Sequence, residues 1–286
     1  MSYRGRFAPS PSGPLHFGSL VAAMGSYLDA RKHQGQWLIR IEDIDPPREM
    51  AGAAKAILGT LETLGFEWDE PVLYQSTRLA AYKEAIEKLQ KQEVLYECIC
   101  SRSEIRAQGL PGTEGVIYSG TCRTRRQDTS VKGARPGAIR LITQDRQVAF
   151  VDKIAGITRQ NIAREIGDFI LRRADGLFAY QLAVVVDDAY QGITDVVRGA
   201  DLLTSTPRQI YLQQLLELPT PNYMHLPLVT DKAGKKLSKR LGSDPINLAD
   251  PVIALVSALG FLNQPVPSEY PATIADFWRW AIAHWN

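Results

Sequence analysis

The stretch RFAPSPSGPLHFGS, residues 6–19, joins a short predicted strand to a predicted helix. Its prolines and glycines exclude regular secondary structure and force a tight connection. From Gly18 onward, apolar residues recur at helical spacing as far as about His33. The N–H groups at the start of such a helix favour an anion, and His16 stands at the end of the loop. The stretch therefore predicts an anion site between the first strand and the first helix.

Strand and helix patterns alternate along much of the chain. Strand followed by helix followed by strand implies a parallel sheet, so the sequence predicts an α/β fold. The last forty or so residues carry apolar and tryptophan side chains at helical spacing and are expected to form a small helical domain. We expect strands over residues 3–8, 36–43, 169–172 and 194–198, and helices over 18–33, 51–64, 77–92, 180–189 and 207–216.

The segment from Cys98 to about Lys153 is rich in glycine and loses regular periodicity. It is therefore interpreted as an insertion into the α/β domain. The expected organisation is a first half of the α/β domain (1–97), the insertion (98–153), a second half (154–218) and a C-terminal region that begins with a lysine-rich loop (219–286).

Composition excludes several classes of protein. The chain has 286 residues, of which 45% are hydrophobic and 22% charged, as in ordinary globular proteins. The longest apolar runs are only five residues, as in Leu182 to Val186, and the first residues build no apolar export signal. We therefore expect a cytoplasmic protein with no membrane partner. A net charge of +2 excludes a general polycation, so nucleic acid would contact local basic patches, such as residues 123–146 and 232–240.

Three cysteines, Cys98, Cys100 and Cys122, cannot form a closed disulfide framework, and the first two are too close in sequence to pair comfortably. They favour either a metal site or free thiols. A structural zinc requires four ligands, and none of the four histidines is near in sequence, so both alternatives stay open from the residues alone.

Two short motifs resemble those of class I aminoacyl-tRNA synthetases. GPLHFGS, residues 13–19, resembles the HIGH motif, and KLSKR, residues 236–240, resembles the KMSKS loop. Ser19 replaces the second histidine of HIGH, which leaves His16 alone in that role. The resemblance implies a Rossmann-like parallel sheet with a zinc-containing insertion and a small helical C-terminal domain. Four further stretches are similar to the glutamyl branch, namely RFAPSPSG (6–13), RIEDID (40–45), VVDD (185–188) and VRG (197–199).

The chain departs from bacterial glutamyl-tRNA synthetases at two places. Only about forty residues follow the lysine loop, where those enzymes continue into a long anticodon-binding region, and Val184 stands where they usually carry asparagine. This pattern resembles the short paralogues, the glutamyl-queuosine tRNA(Asp) synthetases. The resemblance implies a monomeric ligase that forms glutamyl-adenylate from ATP and L-glutamate without tRNA. It then transfers glutamate to queuosine in the anticodon of tRNA(Asp). A truncated glutamyl-tRNA synthetase and a non-catalytic tRNA-binding paralogue stay open as alternatives.

Glutamate presents one ammonium and two carboxylates, so its site needs two cationic groups and one anionic group. Arg6, Glu42 and Arg198 provide that set at predicted strand ends, where open α/β sheets bind ligands. Tyr180 would donate its hydroxyl to a carboxylate, and Ala8 and Ser10 would line the pocket through their backbone. Asp187 and Asp188 are weaker candidates that are expected to be structural.

Activation needs no general base, because the α-carboxylate of glutamate is already ionised at neutral pH. Catalysis then depends on positioning and on stabilising charge in the transition state. The expected catalytic residues are His16 and Lys239. Mg²⁺ is expected with the triphosphate, although no carboxylate in the sequence can be named as its ligand. The expected ATP-binding residues are His16, Gly18, Ser19, Lys236 and Lys239.

The resemblance also implies an answer for the cysteines. The short paralogues match the pattern Cys-x-Cys followed by Tyr-x-x-x-Cys. One structural zinc is therefore expected, held by Cys98, Cys100, Tyr118 and Cys122.

Overall fold

The structure is a computed structural model that describes residues 2–113, 115–124, 136–229 and 245–286. Every predicted strand and helix is confirmed, with ends displaced by one or two residues. Within these ranges, no helix combines the length and the apolar character needed to cross a membrane. The strands are β1 (Arg4–Phe7), β2 (Gln36–Ile41), β3 (Leu73–Tyr74), β4 (Leu95–Cys98), β5 (Leu110–Gly112), β6 (Gly115–Ile117), β7 (Ala138–Leu141), β8 (Gln147–Asp152), β9 (Gly156–Asn161), β10 (Phe169–Arg172), β11 (Asp195–Gly199) and β12 (Asn222–Leu226). The helices are α1 (Phe17–Lys32), α2 (Ala53–Thr63), α3 (Leu79–Lys91), α4 (Arg102–Gln108), α5 (Thr121–Thr124), α6 (Tyr180–Tyr190), α7 (Thr206–Leu216), α8 (Pro251–Phe261) and α9 (Ile274–His284).

Parallel strands form the centre of the molecule. Strands β1, β2 and β3 pair in parallel, and so do β11, β12 and β8. The two groups meet at β1, because Thr194 N–H, just before β11, donates to the Arg4 carbonyl at 3.0 Å. The antiparallel hairpin of β8 and β9 lies at one edge. The expected Rossmann-like parallel sheet is therefore confirmed, and the carboxyl ends of β1, β2, β11 and β12 lie along one edge.

Residues 169–172 form the predicted strand, but its partners differ from those of the parallel sheet. Strand β10 pairs antiparallel with β7, which in turn pairs antiparallel with β4. The apolar pattern of one short strand reports that it is buried, but it does not specify which strand lies beside it. The predicted division of the chain at residues 97, 153 and 218 stays a prediction.

Strand β2 is buried on both faces, as expected for a central parallel strand. Trp37, Ile39 and Ile41 belong to the hydrophobic core that includes α1 and α2. Leu38 belongs to the opposite core, which includes α3, α6 and α7. Arg40 shares the face of Leu38 and is completely buried. A charged side chain inside this core requires a partner, and that partner belongs to the candidate active site.

The C-terminal helices α8 and α9 pack on the same core as α1. The rings of Phe66 and Tyr27 contact the Trp278 ring in edge-to-face geometry, with centroids 4.7 and 4.8 Å from that of the indole. Trp278 Nε1 donates to the Leu64 carbonyl at 2.9 Å. At Gly65, a Cβ atom would lie 2.5 Å from the side chain of Ile274, so close packing of α9 excludes any larger residue there. The small C-terminal helical part is therefore present, and it stabilises the end of α2 directly.

We expect Trp278→Ala to lower the free energy of unfolding by about 3–5 kcal/mol, because it removes a buried aromatic ring and leaves a cavity. Urea denaturation followed by circular dichroism measures the change. Tyr270→Ala is the control, since Tyr270 is 66% exposed and its loss should change stability by less than about 0.5 kcal/mol. Equal midpoints for the two variants would contradict the packing role of α9.

Candidate active site

A cavity of about 810 Å³ opens where the strands β1, β2, β11 and β12 end. Open α/β sheets bind their ligands at this edge, outside the carboxyl ends of the strands. The structure brings every described residue that was predicted to bind glutamate or ATP to this cavity. Lys236 and Lys239 lie outside the described residues. The predicted residues that line the cavity are Arg6, Ala8, Ser10, His16, Gly18, Ser19, Glu42, Tyr180 and Arg198.

His16 caps the helix that begins at Phe17. Its Nδ1 accepts from the backbone N–H of Ser19 at 3.3 Å, and its Nε2 lies 3.1 Å from the Ser19 hydroxyl. A Cβ atom on Gly18 would lie 3.3 Å from Cε1 of the imidazole, so the absence of a side chain at Gly18 lets the ring lie against the helix start. One backbone N–H of the first turn, that of Ser19, is thus already bonded to the imidazole of His16. The sequence did not indicate this bond.

Asp188, on α6, is the shared partner of two buried arginines. Its Oδ1 accepts from Arg40 Nη1 at 2.7 Å and from Arg6 Nε at 3.1 Å, and its Oδ2 accepts from Arg6 Nη2 at 3.4 Å. Burial alone would raise the pKa of this carboxyl, but the two guanidinium groups outweigh burial and hold the pKa below its ordinary value. Asp188 therefore stays ionised and fixes Arg6 in the cavity wall, as expected of a structural residue.

Asp187, the neighbour of Asp188, anchors another part of the wall. It accepts from Tyr82 Oη at 2.5 Å, from Gln75 Nε2 at 2.9 Å and from Arg78 Nε at 3.1 Å. Asp187 is completely buried, and its partners lie on the segment that follows β3. Its role is also structural, because it holds this segment, with cavity-lining Gln75, against α6.

Glu42 follows β2 and provides a buried negative charge in the cavity wall. Burial raises the pKa of its carboxyl, although Arg40 and Arg6 oppose the increase. Arg40 Nη2 donates to Glu42 Oε1 at 3.3 Å. Because desolvation disfavours its ionised form, Glu42 would gain from a cationic ligand group placed beside it.

Arg198, near the end of β11, is held by neutral groups. Its Nη2 donates to Thr206 Oγ1 and to Gln209 Oε1, both at 2.8 Å, and its Nε donates to His225 Nε2 at 3.1 Å. Its Nη1 lies 3.4 Å from the hydroxyl of Tyr180, which also lines the cavity. No buried carboxylate among the described residues bonds to Arg198, so its charge is available for an anionic ligand.

The described residues that line the cavity carry one more positive charge than negative. A ligand with one net negative charge would balance this wall. The charged lining residues are Arg6, Arg48, Arg173 and Arg198 on the positive side and Glu42, Asp45 and Asp201 on the negative side.

The three cysteines converge at a second place, beside the antiparallel sheet. The sulfur atoms of Cys98, Cys100 and Cys122 lie within 4.8 Å of one another, and the residues are buried or half-buried. Tyr118 Oη lies 3.2 Å from Cys100 Sγ and accepts from the Cys122 backbone N–H at 2.8 Å. This set of donors can hold a metal ion.

Sequence reasoning missed the supporting residues behind the cavity. Asp152 and His225 are fully buried, and His225 bonds to Arg198. The sequence signal that could have found them is His225 itself, a polar residue between the apolar residues Met224 and Leu226. Arg40 lies within the RIEDID stretch, but only the structure shows that it is completely buried and paired with Asp188.

Comparison with known proteins identifies the family. The model for the catalytic domain of class I tRNA synthetases (E and Q) matches residues 2–252. Proteins named glutamyl-Q tRNA(Asp) synthetase align over almost the whole chain. The one from Dechloromonas aromatica is 53% identical and aligns over 99% of this chain and 94% of its own length. The one from Pseudomonas aeruginosa is 50% identical, over 100% of this chain and 94% of its own length.

Solved structures agree with this result. The glutamate tRNA ligase from Elizabethkingia meningosepticum, crystallised with its amino acid, is 29% identical and superposes with a TM-score of 0.69. The alignment covers 84% of this chain and 52% of that protein. The glutamate-tRNA synthetase from Elizabethkingia anophelis gives a TM-score of 0.70 and covers 85% and 53%. The chain thus spans about half the length of these two solved structures.

We expect Asp188→Asn to lower the free energy of unfolding by about 3–5 kcal/mol at pH 7, because it leaves Arg6 and Arg40 buried without their carboxylate. Urea denaturation measures the loss. Asp175→Asn is the matched control, since Asp175 is 48% exposed and its ion pair with Arg173 is worth at most about 1 kcal/mol.

The pH dependence has a definite sign. Because the folded-state pKa of Asp188 lies below its unfolded value, its contribution is present above the unfolded pKa and is lost as pH falls through the folded pKa. The difference between wild type and Asp188→Asn should therefore shrink in acid. A constant difference down to the acid transition would contradict the role of the charge.

Proposed function

Since the chain belongs to the class I tRNA synthetases of the glutamyl and glutaminyl type, we propose that it activates L-glutamate with ATP and transfers it to queuosine in the anticodon of tRNA(Asp). The observation that carries the amino-acid part is the convergence of Arg6, Glu42 and Arg198 on one cavity. Similarity over almost the full length of proteins named glutamyl-Q tRNA(Asp) synthetase supports the acceptor.

Glutamate fits the charge of this cavity. Its two carboxylates and one ammonium leave one net negative charge, which complements the excess positive charge of the lining residues. Arg6 and Arg198 would contact the carboxylates, and Tyr180 would donate its hydroxyl to one of them. Glu42 would accept from the ammonium, which relieves the burial of its own charge. Ala8 and Ser10 would limit the pocket along the loop after β1.

The reaction then proceeds in two displacements. The glutamate α-carboxylate attacks the α-phosphorus of ATP, an oxygen–phosphorus bond forms, and pyrophosphate leaves. A hydroxyl of the queuosine cyclopentenediol next attacks the carbonyl carbon of the adenylate, loses its proton, and releases AMP. All the side chains that would bind glutamate come from one chain and line one cavity. We therefore propose that the adenylate forms before tRNA binds.

The nucleotide is assigned to the other side of the cavity. His16, Gly18 and Ser19 would contact the phosphates at the start of α1, where the helix dipole favours an anion. Lys236 and Lys239 would bring ammonium groups to the triphosphate, with Lys239 facing the charge that develops on the leaving pyrophosphate. Mg²⁺ would accompany ATP and neutralise part of its charge. His16 and Lys239 are thus the proposed catalytic residues.

The tRNA is proposed to bind as one docked end, with basic residues of segments 123–146 and 232–240 on its phosphates. The affinity should therefore fall as the salt concentration rises. One chain carries the complete amino-acid cavity, so we propose a monomer that acts in the cytoplasm, where its tRNA is found.

A structural zinc is proposed for the cluster of Cys98, Cys100, Tyr118 and Cys122. Zn–S bonds of about 2.3 Å place sulfur atoms roughly 3.8 Å apart in a tetrahedron, which the spacing within 4.8 Å accommodates. The zinc would cross-link the end of β4 to α5 and to the segment before it, and it would supply no step of the reaction.

We expect tRNA(Asp) bearing queuosine to accept radiolabelled glutamate, and the same tRNA with guanosine at that position to accept none. Periodate cleaves vicinal diols, so it should abolish charging when the tRNA is treated beforehand. Pyrophosphate exchange that requires glutamate should occur without tRNA. Arg198→Ala serves as the background control, because it removes a carboxylate partner.

Charging of unmodified tRNA(Glu) at its 3′ adenosine would replace this proposal with a truncated glutamyl-tRNA synthetase. Absence of exchange with every amino acid would instead favour a non-catalytic tRNA-binding paralogue.

We expect one zinc per chain by elemental analysis, and Cys122→Ser should lose it. Tyr118→Phe should weaken zinc binding in a chelator competition, because it removes one ligand. Tyr96→Phe is the matched control: Tyr96 packs in the same cluster, but its hydroxyl donates to Asp168 at 2.8 Å. Removal of zinc should raise hydrogen exchange in residues 98–122 before the sheet unfolds. Equal zinc affinity in both tyrosine variants would exclude Tyr118 as a ligand.

A further inference from the structure

We propose that Asp152 and His225 form a positioning pair that fixes the guanidinium of Arg198 for glutamate binding. Neither residue is among the described residues that line the cavity. They act instead through a chain of hydrogen bonds that runs from the end of β8 through β12 to β11. The inference rests on the proposed function, in which Arg198 contacts a carboxylate of glutamate.

The hydrogen bonds determine the tautomer of His225. Its Nδ1 lies 2.6 Å from Asp152 Oδ2, and an ionised carboxylate can only accept, so Nδ1 carries the proton. The lone pair of Nε2 then faces Arg198 Nε at 3.1 Å and accepts its hydrogen. The Thr206 hydroxyl lies 3.1 Å from the same nitrogen and from the Leu202 carbonyl, and it can donate its single hydrogen to either. The carboxylate of Asp152 thus fixes the tautomer of His225, and the imidazole presents a neutral acceptor to the arginine.

This acceptor completes the set that orients the guanidinium. Nη2 is held by Thr206 and Gln209, and Nε is held by His225, so the edge formed by these two nitrogens faces the interior. Nη1 is left on the side of Tyr180 and the cavity. A neutral acceptor orients the guanidinium without neutralising it, whereas a carboxylate at the same place would compete with the ligand for its charge.

The surroundings of the pair keep His225 neutral. Asp152 Oδ1 accepts from the backbone N–H groups of Ile154 and Ala155 at 3.0 and 2.8 Å, which leaves Oδ2 for the imidazole. Phe150 and Tyr223 pack against the ring of His225. Burial first, and then the charge of Arg198, lower the pKa of His225 to about 4, although Asp152 opposes this. His225 is therefore an uncharged acceptor at neutral pH.

Asp152→Asn tests the pair with little change in shape. The amide oxygen can keep the backbone bonds of Oδ1, but the amide nitrogen then faces His225 Nδ1 and donates to it. The imidazole must move its proton to Nε2, and Arg198 Nε–H loses its acceptor. We expect the KM for glutamate in tRNA-independent pyrophosphate exchange to rise roughly 10- to 100-fold, with the KM for ATP unchanged.

Two substitutions of His225 separate positioning from folding. In His225→Gln the amide oxygen can reach the place of Nε2, so the KM for glutamate should stay within a few-fold of wild type. In His225→Asn the shorter amide reaches only the place of Nδ1, so the KM should rise as in Asp152→Asn. Asp195→Asn is the control, because Asp195 is a buried carboxylate on β11 whose partners are Lys153, Thr194 and Asn222. It should leave the KM for glutamate unchanged.

Nitrogen NMR of labelled imidazole provides a readout that does not depend on activity. We expect protonated Nδ1 in wild type and protonated Nε2 in Asp152→Asn. Protonated Nε2 in wild type would overturn the pair, and so would an unchanged KM for glutamate in Asp152→Asn. Failure of wild type to exchange pyrophosphate with glutamate would count against the proposed function, while the tautomer of His225 would still decide whether the pair exists.

Discussion

The carboxylate of Asp188 is the interaction on which the rest of the structure depends. It belongs to α6, and it accepts from Arg6 on β1 and from Arg40 on β2, so it joins a helix to two adjacent strands. Buried charges cost several kcal/mol each unless they are paired with good geometry, so Asp188 offsets much of the cost of burying both arginines. The same bonds that stabilise the sheet against α6 therefore also place Arg6 in the cavity wall.

The cavity repeats this design on its other sides. Asp187 holds the segment that carries Gln75, and Asp152 acts through His225 on Arg198. In each case a buried carboxylate lies behind the wall and the cavity presents a group that the carboxylate has oriented. The cost of ordering these groups is met during folding, so a ligand meets a site that is already arranged. An amino acid with two carboxylates is well matched to two arginines held in different ways, one by a charged partner and one by neutral partners.

The cysteine cluster serves a different part of the molecule. It lies beside the antiparallel strands β4 and β7, and its residues are not among the described residues that line the cavity. Its segment has few apolar residues of its own, so a bound metal would supply the cross-links that a hydrophobic core supplies elsewhere. The cavity is thus suited to bind a ligand, whereas the cysteine cluster is suited to stabilise its own segment. Relatives at about 50% identity align over both.

The sequence by itself determined the class of fold, the main strands and helices of the α/β domain, and the charged residues Arg6, Glu42 and Arg198 of the cavity wall. Apolar periodicity located each predicted strand and helix, and strand ends identified Arg6, Glu42 and Arg198, because ligands of α/β sheets lie at those ends. Only the tertiary structure decided which groups lie behind that wall and which sheet receives β10. Asp152 and His225 are 73 residues apart and Arg6 and Asp188 are 182 apart, so no local pattern could pair them. Periodicity reports which face a side chain occupies, whereas its partner depends on strand order and register, which are set by packing across the whole chain.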